Sequence, residues 1–178
     1  MKAQLDDTKS EAALNDLAQR FAAVPTRIRQ GSSYDGLTRA AGDGGLRHEL
    51  ASMCRAAASD RAPTDIECRL KLGVVFHSCG DDANAIQSFN DVISEQESHV
   101  EAWFNLGVVI FGQGQFAEAE YCFSRACEID PSDAQAWNNR GACLWQLDQR
   151  RESRRCVQRA RALDRGSLHP RVNLQRLA

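Results

Sequence analysis

The residues of this 178-residue chain best suited to do chemistry are its seven cysteines, at 54, 68, 79, 122, 127, 143 and 156, and its histidines. His77-x-Cys79 together with Cys68 has the composition of a metal-site fragment, but these residues run along one helical stretch and no second ligand pair follows at zinc spacing. No C-x-x-C pair occurs, and an odd number of cysteines behind a polar, acidic start argues for thiols and against a disulfide framework. Cys122 and Cys156 share one place in the periodic pattern set out below, the behaviour of a small packing residue. Cys127 and Cys143 have no immediately adjacent histidine or cation to activate a thiolate. The glycine clusters Gly42-Asp43-Gly44-Gly45 and Gly112-Gln113-Gly114 neither follow a strand nor end in Lys-Ser/Thr, so they read as turns and not as phosphate cradles. No Ser-His-Asp grouping, H-E-x-x-H or carboxylate pair stands out. The expectation is a non-catalytic protein without metal or cofactor.

The elements that hold these residues must be built from an average composition. With 43% hydrophobic and 26% charged residues and a formal charge of -2, the chain falls outside the disordered, collagen-like and membrane classes. The start, MKAQLDDTKSE, carries no apolar run behind its first lysine, and the longest apolar run, Val108 to Phe111, is far too short to span a bilayer. These features predict a soluble, cytoplasmic protein.

One period organises the sequence. Gly73, Gly107 and Gly141 are 34 apart, as are Leu72 and Leu106, Trp103 and Trp137, Ala85 and Ala119, Phe89 and Phe123, and the set Val92, Ala126 and Ala160. Thr64-x-x-Glu67, Ser98-x-x-Glu101 and Ser132-x-x-Gln135 keep the same step and read as three capping boxes at helix starts. Within each unit apolar residues recur with period 3.6, interrupted by Gly80-Asp81 or Gly112-Gln113-Gly114, which predicts helix, tight turn, helix.

These residues resemble the tetratricopeptide repeat. Val100 to Asp133 carries nearly the whole signature in Trp103, Leu106, Gly107, Ala119, Phe123, Ala126 and Pro131, with Ile110 where the family prefers Tyr. The flanking units depart from it. The first has Arg69 for Trp and Glu97 for Pro; the third has Arg140 for Leu, Ser153 for Ala, Val157 for Phe and Arg165 for Pro. The resemblance implies an all-α, right-handed superhelical solenoid of about three units, at 66–99, 100–133 and 134–167. A C-terminal capping helix over 168–178 and an N-terminal helical extension over 1–65 complete the expected organisation. In that extension Leu14, Leu17 and Phe21 share an apolar stripe, and Ala51, Ala58 and Pro63 fit a decayed fourth repeat.

In such solenoids the first helix of each pair lines a concave binding wall. The resemblance places Leu70, Val74 and His77 of the first unit, Phe104, Asn105, Val108 and Phe111 of the second, and Asn138, Asn139 and Trp145 of the third on that wall. The alternative for Phe104, Phe111 and Trp145 is core packing. Asn105 and Asn139, 34 apart, stand where an asparagine ladder holds peptide backbone, since each side chain offers a donor and an acceptor. The carboxylate clamp of chaperone-binding members needs Lys or Arg at places held here by Leu70, Val74, Gln135 and Asn139. Charge is polarised: residues 62–139 hold 3 basic and 13 acidic side chains, whereas 140–178 hold 10 basic and 3 acidic. Arg150, Arg151, Arg154, Arg155, Arg159 and Arg161 gather on one helix, either as a solvated face or as a patch for an acidic partner or for head-to-tail self-association. Nucleic acid is a poor fit, because no aromatics interleave with these arginines.

The expected function is a protein-protein interaction module that takes a peptide or partner segment in its groove. Three such repeats behind an amphipathic N-terminal helix also resemble the class II chaperones of bacterial type III secretion. That resemblance implies a chaperone of secreted hydrophobic proteins and a homodimer joined through Leu14, Leu17 and Phe21. The alternative is a structural adaptor in a larger assembly, docking through the Arg-rich end.

Overall fold

The computed structural model describes residues 26–28, 66–78 and 80–164, apart from the side chain of Cys68. The N-terminal stripe Leu14, Leu17 and Phe21, the decayed repeat and the capping helix lie outside the described residues. Six helices follow one another: α1 (Ile66–Ser78), α2 (Asp82–Glu95), α3 (Val100–Gly112), α4 (Phe116–Ile129), α5 (Ala134–Gln146) and α6 (Arg150–Leu163). The first helices of the pairs begin at Ile66, Val100 and Ala134 and the second at Asp82, Phe116 and Arg150, so both keep the period of the sequence. Each helix packs on its partner within the pair, the second helix of one pair packs on the first helix of the next, and the first helices α1 and α3 also touch. The result is an all-α solenoid.

The period survives folding because each repeated residue solves the same packing problem. Ala85, Ala119, Val92, Ala126 and Ala160 are fully buried, and so are Phe89, Phe123 and Val157, which lie over the glycine of the preceding helix. A methyl group on Gly73 would stand 2.4 Å from the Phe89 ring, and one on Gly107 would stand 3.0 Å from the Phe123 ring. At Gly141 the obstacles are Val157 and the Ser153 carbonyl oxygen, at 2.7 and 3.2 Å. Each buried Phe contributes about 1.5–3 kcal/mol of transfer free energy, which explains why glycine is kept beneath it.

The turn between paired helices also repeats. Gly80, Gly114 and Asp148 adopt φ of 79°, 78° and 61°. The amides of Asp81, Gln115 and Gln149 donate to the carbonyls of Phe76, Ile110 and Leu144 at 2.9, 3.3 and 2.8 Å. Gly80, Gly114 and Asp148 themselves donate to His77, Phe111 and Trp145, so the last carbonyls of each first helix are satisfied in a Schellman arrangement.

At the starts of α3 and α5 the capping boxes are displaced by one residue, and Thr64 of the first box lies outside the described residues. The caps are His99, which accepts from Ala102, and Asp133, which accepts from Gln135 and Ala136. Ser132 instead donates its hydroxyl and its amide to Asp130 at 2.6 and 2.9 Å. At α5 a carboxylate outcompetes a hydroxyl for helix N–H groups because its acceptor is charged.

The residues that break the signature have acquired partners of their own. Arg69, in the tryptophan place, reaches Glu95 at 2.6 Å, and Arg140, in the leucine place, reaches Glu120 at 2.7 Å. Ser153 donates to the Gly141 carbonyl at 2.7 Å within the core.

Candidate functional site

Asn105 is the centre of the candidate site. It is 0% exposed on α3, in the middle of the array, where an amide side chain needs partners for both its ends. It finds them on one short stretch of backbone. The Ile28 amide donates to its Oδ1 at 2.7 Å, and its Nδ2 donates to the Thr26 carbonyl at 2.7 Å. Residues 26–28 of the chain's own N-terminal region therefore lie against α3, clamped on either side of Arg27.

The side chains of this segment are read separately. Ile28 is 3% exposed and joins the hydrophobic core. The Arg27 guanidinium lies 3.6 Å from the centroid of the Phe104 ring and pairs with the Asp133 carboxylate. One oxygen of Asp133 caps α5 while the other meets Arg27, so a single carboxylate completes a helix start and a cation site. Phe104 is held from behind by Phe123, edge to face at 5.6 Å. Beside Arg27 opens a pocket of about 510 Å³ lined by Thr26, Arg27, Asp130, Ser132, Asp133, Ala134 and Gln135. Asp130 at its rim has its pKa lowered, chiefly by the hydrogen bonds from Ser132 and in lesser part by the Arg27 charge.

The remaining wall residues divide into two sets. Leu70, Val74, Val108, Asn138 and Asn139 are buried, and Asn138 makes a long 3.5 Å contact to Asn139. His77, Phe111 and Trp145 hold one repeat position, and each is engaged by the residue five places on, across the intra-pair turn. His77 Nδ1 lies 2.7 Å from an Asp82 oxygen, Phe111 meets Phe116 edge on at 5.3 Å, and the Arg150 guanidinium lies 3.5 Å from the centroid of the Trp145 ring. Arg150 is also tied to Asp148 at 2.6 Å. It belongs to this turn contact, while Arg151, Arg154, Arg155, Arg159 and Arg161 are exposed along α6.

Two parts of the site were hidden from sequence reading. Arg27 and Ile28 sit in a stretch without repeat signal, and Asp133 reads as one more acidic residue ahead of a helix. The available clue was Pro25, which ends the preceding apolar stripe and so marks a break in the pattern just before the clamped segment.

Among the described residues the cysteines belong to the core, while Cys54, Cys79 and the Cys68 side chain lie outside them. Cys122, Cys127, Cys143 and Cys156 are buried free thiols; burial pushes the first two up to about 12 and raises the other two as well. Among the described residues no three potential metal ligands converge, and no helix is long and apolar enough to cross a membrane.

Residues 100–133 match the family model of the tetratricopeptide repeat. Similar solved structures include MamA 41-end from Desulfovibrio magneticus RS-1, with 19% identity, a TM-score of 0.62, and 75% of this chain and 82% of that one covered. The first tetratricopeptide domain of Spaghetti (RPAP3), bound to the HSP90 peptide SRMEEVD, is 20% identical with a TM-score of 0.57, covering 59% of this chain and 83% of that one. The second such domain of human RPAP3, in complex with the HSP70 peptide SGPTIEEVD, is 18% identical with a TM-score of 0.57, covering 74% and 97%. No curated protein matches the sequence. Residues 100–133 carry the tetratricopeptide repeat, and the described array shares the fold of these solenoids.

Proposed function

We propose that this solenoid is a non-catalytic module that captures a protein segment in the groove formed by α1, α3 and α5. The observation that carries the reading is Asn105, a buried side chain that donates to one backbone carbonyl and accepts from the amide two residues on. Such a clamp holds main chain of any sequence, which suits a peptide receptor. Solved relatives of this fold include complexes with the peptides SRMEEVD and SGPTIEEVD. This groove offers a carboxylate, Asp133, beside an aromatic face, so acidic peptides of that kind fit it poorly. The test is panning of a displayed random-peptide library on the wild-type protein. The selected peptides should bind Asn105→Ala at least tenfold more weakly, with helical circular dichroism unchanged; equal binding removes the groove from the function.

A finer form makes the module a cytoplasmic chaperone for hydrophobic secreted proteins, dimerising through Leu14, Leu17 and Phe21. Leu17→Asp should then sediment as a monomer, and an unchanged mass removes that role. A second reading, a structural adaptor, is favoured by the exposed arginines along α6 at the end of the described array.

A further inference from the structure

We propose that the groove selects a segment with a basic residue followed by a branched aliphatic one, and that the chain's own residues 26–28 are a tethered copy of that ligand, which a partner must displace. This rests on the groove reading above and specifies both what the groove takes and what holds it closed.

The selection follows from three adjoining contacts. Asn105 fixes the backbone by bonding the carbonyl before Arg27 and the amide after it, which sets the register of whatever side chain lies between. That side chain meets the face of Phe104 on one side and the carboxylate of Asp133 on the other. A planar cation satisfies both walls at once, by cation–π attraction and by ion pairing. An acidic residue there would face a buried carboxylate, and an alanine would leave the ring and the carboxylate without their partner. The next residue, Ile28, enters the core at 3% exposure, so a charged replacement in that place would be desolvated without compensation. Asp133 cannot withdraw to admit another sequence, because its other oxygen holds the first turn of α5.

The same contacts make residues 26–28 a competitor. A segment attached to its own receptor binds intramolecularly, without the concentration dependence that an outside peptide faces. An outside peptide with only the same three contacts therefore gains occupancy when the tethered copy is weakened.

The experiment measures fluorescence anisotropy of a labelled synthetic peptide spanning residues 23–30, using the full-length chain. Arg27→Glu/Ile28→Asp should bind this probe at least tenfold more tightly than wild type, and adding Asn105→Ala should abolish the gain. In that opened background Asp133→Asn, which keeps a capping oxygen and removes the charge, should erase the preference for the probe over one with glutamine in the Arg27 place. Equal tight binding by wild type and opened variant, both lost with Asn105→Ala, overturns the tethered competitor and leaves peptide capture standing. No binding by either overturns both. A wild-type dimer that the double substitution converts to monomer shows exchange between copies and overturns intramolecular closure. Should the double substitution unfold the chain, amide exchange in the wild type decides: saturating probe must accelerate exchange at Ile28 and leave α4–α6 unchanged, and an unaltered Ile28 rate overturns the proposal.

Discussion

Gly73 shows how much a single atom decides here. An added methyl would stand 2.4 Å from a ring carbon of Phe89, which is itself fully buried and cannot swing aside. Gly73→Ala should cost about 1–3 kcal/mol through overpacking, and Gly107→Ala less, because its nearest ring atom is 3.0 Å away. Urea midpoints of the two variants measure the order, and a Gly73→Ala protein as stable as wild type contradicts it. The buried cysteines give a second prediction. Folding holds the Cys122 and Cys127 thiols neutral by desolvation, moving them from an ordinary 9.0 up to about 12. Their contribution is thus whole below about pH 9 and is lost as pH rises from there toward 12, when the unfolded chain ionises and the folded one resists. Melting temperature should fall on that alkaline limb, and less steeply in Cys122→Ala. At pH 8 iodoacetamide should leave all four core thiols unmodified in the native protein and alkylate them in guanidinium, as read by peptide mass mapping.

At the scale of helices, the repeats are joined by ties that the signature residues make with backbone. The Trp103 indole donates to the Glu97 carbonyl at 2.8 Å, and Trp137, its equivalent in the next repeat, donates to the Pro131 carbonyl at 3.0 Å. These bonds pin the link between one helix pair and the next to the helix that follows it. Trp103→Phe keeps most of the apolar surface but removes the donor, and should cost about 1 kcal/mol, visible as a lower denaturation midpoint; no change would mean that water replaces the tie. Sequence reading located the six helices through their period, because identical packing demands recur once in every repeat. It misplaced two caps by one residue, since Ser98 and Ser132 look like good caps until the competing side chains of His99 and Asp133 are seen in place.

Considered whole, the described array carries the Asn105 clamp in its middle and a basic helix at its end, and salt separates their contributions. A partner held by Arg151, Arg155, Arg159 and Arg161 should dissociate steeply between 0.05 and 0.5 M salt, because the Debye length contracts from roughly 14 to 4 Å over that range. A segment held by Asn105 and an Ile28-type anchor should lose little affinity. Titration of a captured peptide across that range checks which surface carries binding.

What the sequence determined by itself is the repeated unit: the helix pairs, the recurring glycine, and the turns at Gly80 and Gly114, while the matching turn at Asp148 emerged only in the structure. These are local demands, written within a single repeat and legible because they recur. What only the tertiary structure decided is what meets Asn105 and Asp133. The clamp joins Asn105 to Thr26 and Ile28, and the cation site joins Arg27 to Asp133, 106 residues away. Neither contact has a period, so both depend on where the folded solenoid brings the N-terminal segment, and no spacing along the chain encodes that meeting.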